Sequence, residues 1–352
     1  MIKHLVLSGG GHSLFHTFGA LRYLQEQHVW KRSNIQSIYG TSAGGLMGAL
    51  LCLNYDYDKQ EDWDILQKYL IDRPWHEAFP ITTKTFINSY SKRGLFDRGF
   101  VETIFKPLFL AKDISMNITM KELYRHSNID LHVFTFELHQ FEVIDISHET
   151  HPDLPLLTAL HMTSAYPILF SPHITDDGKC YLDGGVKSNY PLDICIQSGK
   201  KREEILGMSK KRFNTTEMEM EMETANVENN PKEKEKKNKD KPNENKEEDN
   251  PNPKTRENKK EKEKENQEDE YKTHMKITKS STILDYIFAF LYKLIKSICT
   301  QAKQPPITNE VTYAIEPFSY FHLKNCLLNK EFREKYINEG QKAAENYILH
   351  RR

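Results

Sequence analysis

Within its first 53 residues the chain twice repeats one pattern: a short apolar run, a glycine-bearing turn, then apolar residues at helical spacing. Ile2 to Ser8 reads as a short buried strand and runs into Gly9-Gly10-Gly11. Leu14, Phe18, Leu21 and Leu24 then recur at spacings of three and four, the period of a helix. Gln36 to Tyr39 reads as a second strand, turns through Gly40-Thr41-Ser42-Ala43-Gly44, and leads into an apolar helix over Leu46 to Leu53. A strand, a helix and a second strand in such close succession predict a crossover connection. The expected fold class is therefore α/β with a mainly parallel sheet.

The rest of the chain extends this order. Residues 54–130 read as mostly helical, with loops at Arg73-Pro74 and Arg93-Gly94. Leu131 to Phe136 and Phe141 to Ile146 read as two strands joined by a short turn, and Leu156 to Ser164 as a helix ended by Tyr166-Pro167. Lys179 to Leu182 reads as a strand that stops at Asp183-Gly184-Gly185, with a further strand over Glu204 to Ser209.

The pattern then breaks. Residues 231–270 contain no aliphatic, aromatic, Met or Cys side chain, and carry 13 Lys or Arg against 14 Asp or Glu. Without this block, 72 of the other 312 residues are charged, about 23%, near the usual globular share. The first segment of a globular domain over residues 1–213, a charged low-complexity insertion over 214–274 expected to be disordered, and a return to the same domain over 275–352 follow from this. Ile283 to Ile298 is rich in Ile, Leu, Phe and Tyr, and reads as a core or cleft-flanking helix, with a lid or interfacial helix as the alternative. Glu331 to Leu349 reads as a charged amphipathic helix.

Net charge of −1 argues against general nucleic-acid binding. Five scattered Cys fit a reducing compartment rather than a disulfide framework. The run from Met1 to Leu7 is too short for a secretory leader, and no stretch is long and apolar enough to span a bilayer. These features predict an intracellular, soluble cytoplasmic protein with room for peripheral contact with a membrane surface.

Three glycine-bearing sites carry chemistry. Gly40-Thr41-Ser42-Ala43-Gly44 fits G-x-S-x-G between a strand and a helix, where a sharp reversal exposes the central hydroxyl. A tight turn with a helix-capping hydroxyl is the plainer reading. Gly9, Gly10, Gly11 and His12 precede a helix, so their N–H groups can converge on one anion, either a phosphate or the oxyanion of acyl transfer. No Gly-Lys-Ser/Thr follows, and Leu14 stands where a dinucleotide fingerprint needs glycine. Asp183-Gly184-Gly185 ends a strand and would present a carboxylate at the sheet's carboxyl edge, although Asp-Gly is also a common turn.

In this order the three sites resemble the patatin-like phospholipase family. Looser similarity runs through Gly94-Leu95-Phe96-Asp97, Ser164-Ala165-Tyr166-Pro167 and the helix near Gly340-Gln341-Lys342-Ala343-Ala344. The resemblance implies a three-layer α/β/α fold and a lipid acyl hydrolase of phospholipase A type. It implies Ser42 as nucleophile, Asp183 as general base and the loop Gly9 to His12 as oxyanion hole, with lipid or phospholipid as substrate. The chain departs from the family in one place. After the glycine run the family usually has a basic residue and then Gly, where this sequence has Ser13 and Leu14. Recognition of an anion by that side chain is thereby put in doubt, whereas the backbone donors remain.

Two other readings stay open. One is an inactive lipid-binding or storage-like protein that kept the fold. The other is an α/β-hydrolase esterase with a Ser42, Asp183, His322 triad, which has the right order but too little chain before the elbow. His322 lies among Phe318, Tyr320, Phe321 and Leu323, which suits a packed or surface imidazole. His12 and His16 stand four apart but lack an evident third metal ligand, and His148 and His151 read as solvated loop residues. No metal and no cofactor is expected, calcium included. Segments 54–130 and 283–298 are expected to line the cleft.

Overall fold

The computed structural model describes residues 1–53, 55–80, 82–211, 287, 290, 291, 293–295, 306–315 and 320–351. Its centre is an eight-stranded sheet. Strands β1 (His4–Leu7), β2 (Ser37–Thr41) and β4 (Asp130–Glu137) lie side by side and parallel. Beyond β1 come β9 (Ile205–Lys211) and β10 (Glu310–Ala314), also parallel. Three antiparallel strands complete the sheet: β5 (Glu142–Ile146) and β8 (Cys180–Asp183) on β4, and β7 (His173–Ile174) on β8.

Alternation along the strands divides the interior into two cores. Leu5, Leu7, Ile38, Val133, Leu206 and Met208 face the larger one. The residues between them, including Val6, Tyr39, Phe134 and Ile205, face a smaller one. Helices α1 (Ser13–Glu26), α2 (Ala43–Cys52), α7 (Met120–Ser127) and α8 (Leu156–Ser164) supply the larger core. Helix α9 (Leu192–Gln197) closes the smaller one through Leu192 and Cys195. The result is the three-layer α/β/α order with a mainly parallel sheet. All ten residues of α2 are buried, as an all-apolar helix between sheet and outer helices must be.

Residues 54–130 hold α3 (Gln60–Asp72), α4 (Trp75–Ala78), α5 (Thr83–Lys92), α6 (Gly99–Ala111) and α7. The expected loop at Arg93-Gly94 is only half present. Arg93 ends α5 in the left-handed region at φ 61°, but Gly94 already begins β3 (Gly94–Phe96), which pairs in parallel with β6 (Ile168–Phe170). Near the end of the chain come α10 (Tyr320–Leu328) and α11 (Lys330–Arg351). Helix α11 crosses α1 at Gly19 and Gly340, where a Cβ on either would run into the other helix's backbone. The insertion expected over 214–274 lies outside the described residues, as does most of 283–298. Among the described residues no helix is long and apolar enough to cross a membrane.

Candidate active site

Ser42 sits between the last residue of β2 and the first of α2, at φ 53° and ψ −122°. A non-glycine residue here is strained by roughly 1–3 kcal/mol, which the surroundings must offset. They do so by close packing and two anchors. A Cβ on Gly44 would strike the Leu7 carbonyl, and one on Gly40 would strike Gly44 itself, so both flanks must be glycine for the helix to start this close to β1. The Ser42 N–H donates to Thr163 Oγ1 at 2.9 Å, and Thr41 Oγ1 donates to the Ser188 carbonyl at 2.9 Å. Ala43 opens the buried helix behind the hydroxyl.

Strand register explains how Asp183 reaches the same place. Val133 of β4 pairs with Gly40 and with Ile146, so β2 and β5 lie on opposite edges of β4. Thr135 pairs with Ile144 and with Asp183, so β8 is opposite β5 and shares an edge with β2. Thr41 and Asp183 thus occupy neighbouring rungs, on Phe134 and Thr135. The strand ending at the serine and the strand ending at the aspartate meet head on. Thr135 Oγ1 donates to the Leu182 carbonyl at 2.7 Å, and the Asp183 N–H to the Ala165 carbonyl at 3.0 Å, which fixes the carboxylate's base.

Asp183 is 2% exposed. Burial pushes its pKa up to about 6, and hydrogen bonds from the Ser42 side chain and the Gly185 N–H, with the charge of Lys210, hold it from going higher. The Gly185 bond to Oδ1 is 2.7 Å long and forms within a single 3₁₀ turn over Gly184–Val186.

The glycine loop divides its labour in a way the sequence did not indicate. Gly9 donates its N–H to the Asn189 carbonyl at 2.9 Å, while Asn189 Nδ2 donates back to the Gly9 carbonyl at 3.2 Å. That amide is spent on anchoring the loop to the segment after Asp183. Gly9 also lies against the nucleophile, since a Cβ there would be 3.0 Å from Ser42 Cβ. Gly10 at φ 149° and Gly11 at φ 59° adopt backbone that side chains avoid. Their N–H groups donate to nothing among the described residues. His12 occupies the cap position of α1 and is buried. Burial, then the neighbouring His322, His16 and Lys210, hold its pKa well below 6.5, so the ring is neutral.

His322 is packed rather than poised. Its ring stacks on His12 at 4.8 Å, on the α1 side of the glycine loop. Among the described residues, the groups hydrogen-bonding the Asp183 carboxylate are Ser42 and Gly185. His16 Nε2 pairs with Glu339 at 3.1 Å, and among the described residues no group of three or more metal-binding side chains is placed to hold an ion. His148 corrects the expectation of a solvated ring: it stacks on Tyr124 at 3.8 Å and bonds Asp130 Oδ1 at 2.8 Å. Thr163, Asn189 and Lys210 escaped the sequence reading, because each acts through a partner more than 100 residues away.

In this three-layer α/β protein a serine on a strained strand-to-helix turn thus lies beside a buried aspartate and a glycine loop. Comparison gives the particular family: the model of patatin-like phospholipases matches residues 5–196, and the chain belongs to that family. A protein of Invertebrate iridescent virus 6, described as a "Probable lipid hydrolase", is 31% identical over 207 residues, 57% of this chain and 66% of that one. A patatin-like phospholipase domain-containing protein of Cryptococcus neoformans is 27% identical over 60% of this chain and 23% of its own length. The matches therefore span less than two thirds of these relatives. Among solved structures, VipD from Legionella pneumophila aligns over 99% of this chain and 67% of its own, with TM-score 0.46 and 14% identity.

Proposed function

We propose that the chain is a lipid acyl hydrolase of phospholipase A type, working through a Ser42–Asp183 dyad. The observation that carries this reading is the meeting of β2 and β8 on adjacent rungs of β4, which sets a strained serine beside a buried carboxylate. Ser42 Oγ attacks the ester carbonyl as its proton passes to Asp183. The carbonyl oxygen gains the negative charge, and the N–H groups of Gly10 and Gly11, which have no acceptor among the described residues, are its donors in this reading. Collapse breaks the C–O bond, the departing alcohol takes the proton from Asp183, and an acyl-Ser42 ester remains. Water then attacks that ester as Asp183 again accepts the proton, and collapse breaks the acyl–Oγ bond, returns the proton from Asp183 to Ser42 Oγ and releases the fatty acid. A pKa near 6 suits both steps, because the carboxylate is ionised at neutral pH yet a better base than a free Asp. Membership of a lipid-hydrolysing family and the viral relative's description support lipid as the substrate.

The test is fluorophosphonate labelling of the wild type beside Ser42→Ala, followed by a phospholipid panel. Labelling of the wild type alone, with release of fatty acid, is expected. A folded wild type that neither labels nor hydrolyses would favour the binding-protein reading. Turnover is expected to survive EDTA. Loss restored by added metal would show a metal-dependent step.

A further inference from the structure

The glycine run lacks a following basic side chain, yet a cation reaches it from the neighbouring strand β9. Met208 of β9 pairs with Leu7 of β1, the last strand residue before the loop. Alternation puts Leu206 and Met208 on the face that carries α1, and Lys210, two residues on, overhangs the loop on that same face. A Cβ on Gly10 would lie 2.8 Å from Lys210 Nζ and 3.2 Å from Lys210 Cδ. The same point is 2.9 Å from Ser13 Oγ. That hydroxyl is fully buried and has no hydrogen-bond partner among the described residues. An ammonium and an orphaned hydroxyl therefore converge on the hollow left by Gly10, at the first turn of α1.

We propose that Lys210, with Ser13, forms an anion subsite that takes the phosphate of a phospholipid headgroup while the acyl ester lies at Ser42. The inference rests on the hydrolase reading for its substrate. The subsite itself stands on the placement of Lys210, Gly10 and Ser13. Its electrostatics agree, because the charge of Lys210 is felt at both Asp183 and His12. A residue on β9 thus takes over a position that the helix following the glycine run leaves uncharged. Gly10 is glycine for two reasons: its φ of 149°, and the approach of Lys210 Nζ to within 2.8 Å of where a Cβ would lie.

The experiment uses the full chain carrying Ser42→Ala, which holds substrate without turnover. Calorimetry would measure binding of monomeric dihexanoylphosphatidylglycerol, of dihexanoylglycerol and of inorganic phosphate, before and after adding Lys210→Gln or Lys210→Arg. We expect Lys210→Gln to weaken the phospholipid about tenfold or more, the scale of one charge-assisted hydrogen bond. Lys210→Arg should restore most of it, and the neutral diacylglycerol should be unaffected. Equal weakening of both lipids, or no weakening of either, would overturn the subsite. So would Lys210-dependent binding of inorganic phosphate without binding of the phospholipid, which would mark a free-phosphate site. If wild-type protein fails to label with fluorophosphonate while the Lys210-dependent lipid pattern persists, the hydrolase reading falls and the subsite stands.

Discussion

One strand, β4, serves two polar clusters with opposite electrostatics, one buried and one partly buried. Toward its carboxyl end, Phe134 and Thr135 hold the strand ends that deliver Ser42 and Asp183. Toward its amino end, His132 donates from both ring nitrogens, to Asp145 at 2.8 Å and Asp130 at 2.9 Å, and stacks on Tyr39 at 4.3 Å. Burial opposes charge in both places, but only the second supplies a full counter-charge. Burial alone would lower the His132 pKa, yet hydrogen bonds to the two carboxylates carry it up to about 9, so the ring is an imidazolium at neutral pH. Asp183 has neutral donors and a more distant lysine, and is left at about 6. A compensated charge stabilises the fold and is chemically inert, whereas an under-compensated one destabilises it and remains ready to take a proton.

The largest effect expected from breaking this contrast is on rate. Asp183→Asn should cut turnover by roughly three orders of magnitude, the scale of a lost general base, and Ser42→Ala should abolish it. His132→Asn should leave the rate nearly unchanged. In the wild type, kcat/KM should rise with pH through about 6 and then level off, as Asp183 ionises in the folded protein. A rate limb near 9 that disappears in His132→Asn would instead tie the amino-end cluster to the chemistry.

Stability should respond in opposite directions. Asp183 has a raised folded pKa, so its contribution is favourable below the unfolded value near 3.8 and is lost as pH climbs through about 6. Asp183→Asn should therefore unfold later than wild type at pH 8, by about 3 kcal/mol at most, and gain nothing at pH 4. His132 is also raised, so its stabilisation is complete below about 6.5 and is lost as pH rises through about 9. His132→Ala should cost about 3 kcal/mol at pH 6, with the gap to wild type closing above pH 9. Urea unfolding at pH 4, 6 and 8 and above pH 9 separates the two cases. Parallel pH profiles for the two variants would erase the contrast.

The carboxyl-end cluster was far more legible in the sequence than the amino-end one, for a physical reason. A serine elbow and a glycine loop are local backbone devices, and local devices leave contiguous signatures such as Gly40 to Gly44 and Gly9 to Gly11. The Asp130, His132, Asp145 and His148 cluster depends on which strand lies beside which and in what register. His148 accordingly looked like a solvated loop residue until β4 and Tyr124 were placed around it. The β3–β6 pair was missed likewise, since Gly94 meets Ile168 across more than 70 residues. Spacing also could not show that Gly9's amide is taken by the Asn189 carbonyl, while those of Gly10 and Gly11 have no acceptor among the described residues.

The smallest expected effect decides between a dyad and a triad. His322 follows Ser42 and Asp183 in the order a triad requires, and it is buried near the glycine loop. Its ring, however, stacks flat on His12 at an interplanar angle of 13°, a contact that a phenyl ring can reproduce. His322→Phe should thus change kcat by no more than about threefold, far below the hundredfold or greater loss that follows removal of a general base. Thermal unfolding of the same variant guards against misreading a packing defect. A folded His322→Phe protein that had lost a hundredfold or more, with the acid limb near pH 6 displaced, would make the imidazole the proton acceptor and reduce Asp183 to its orienting partner.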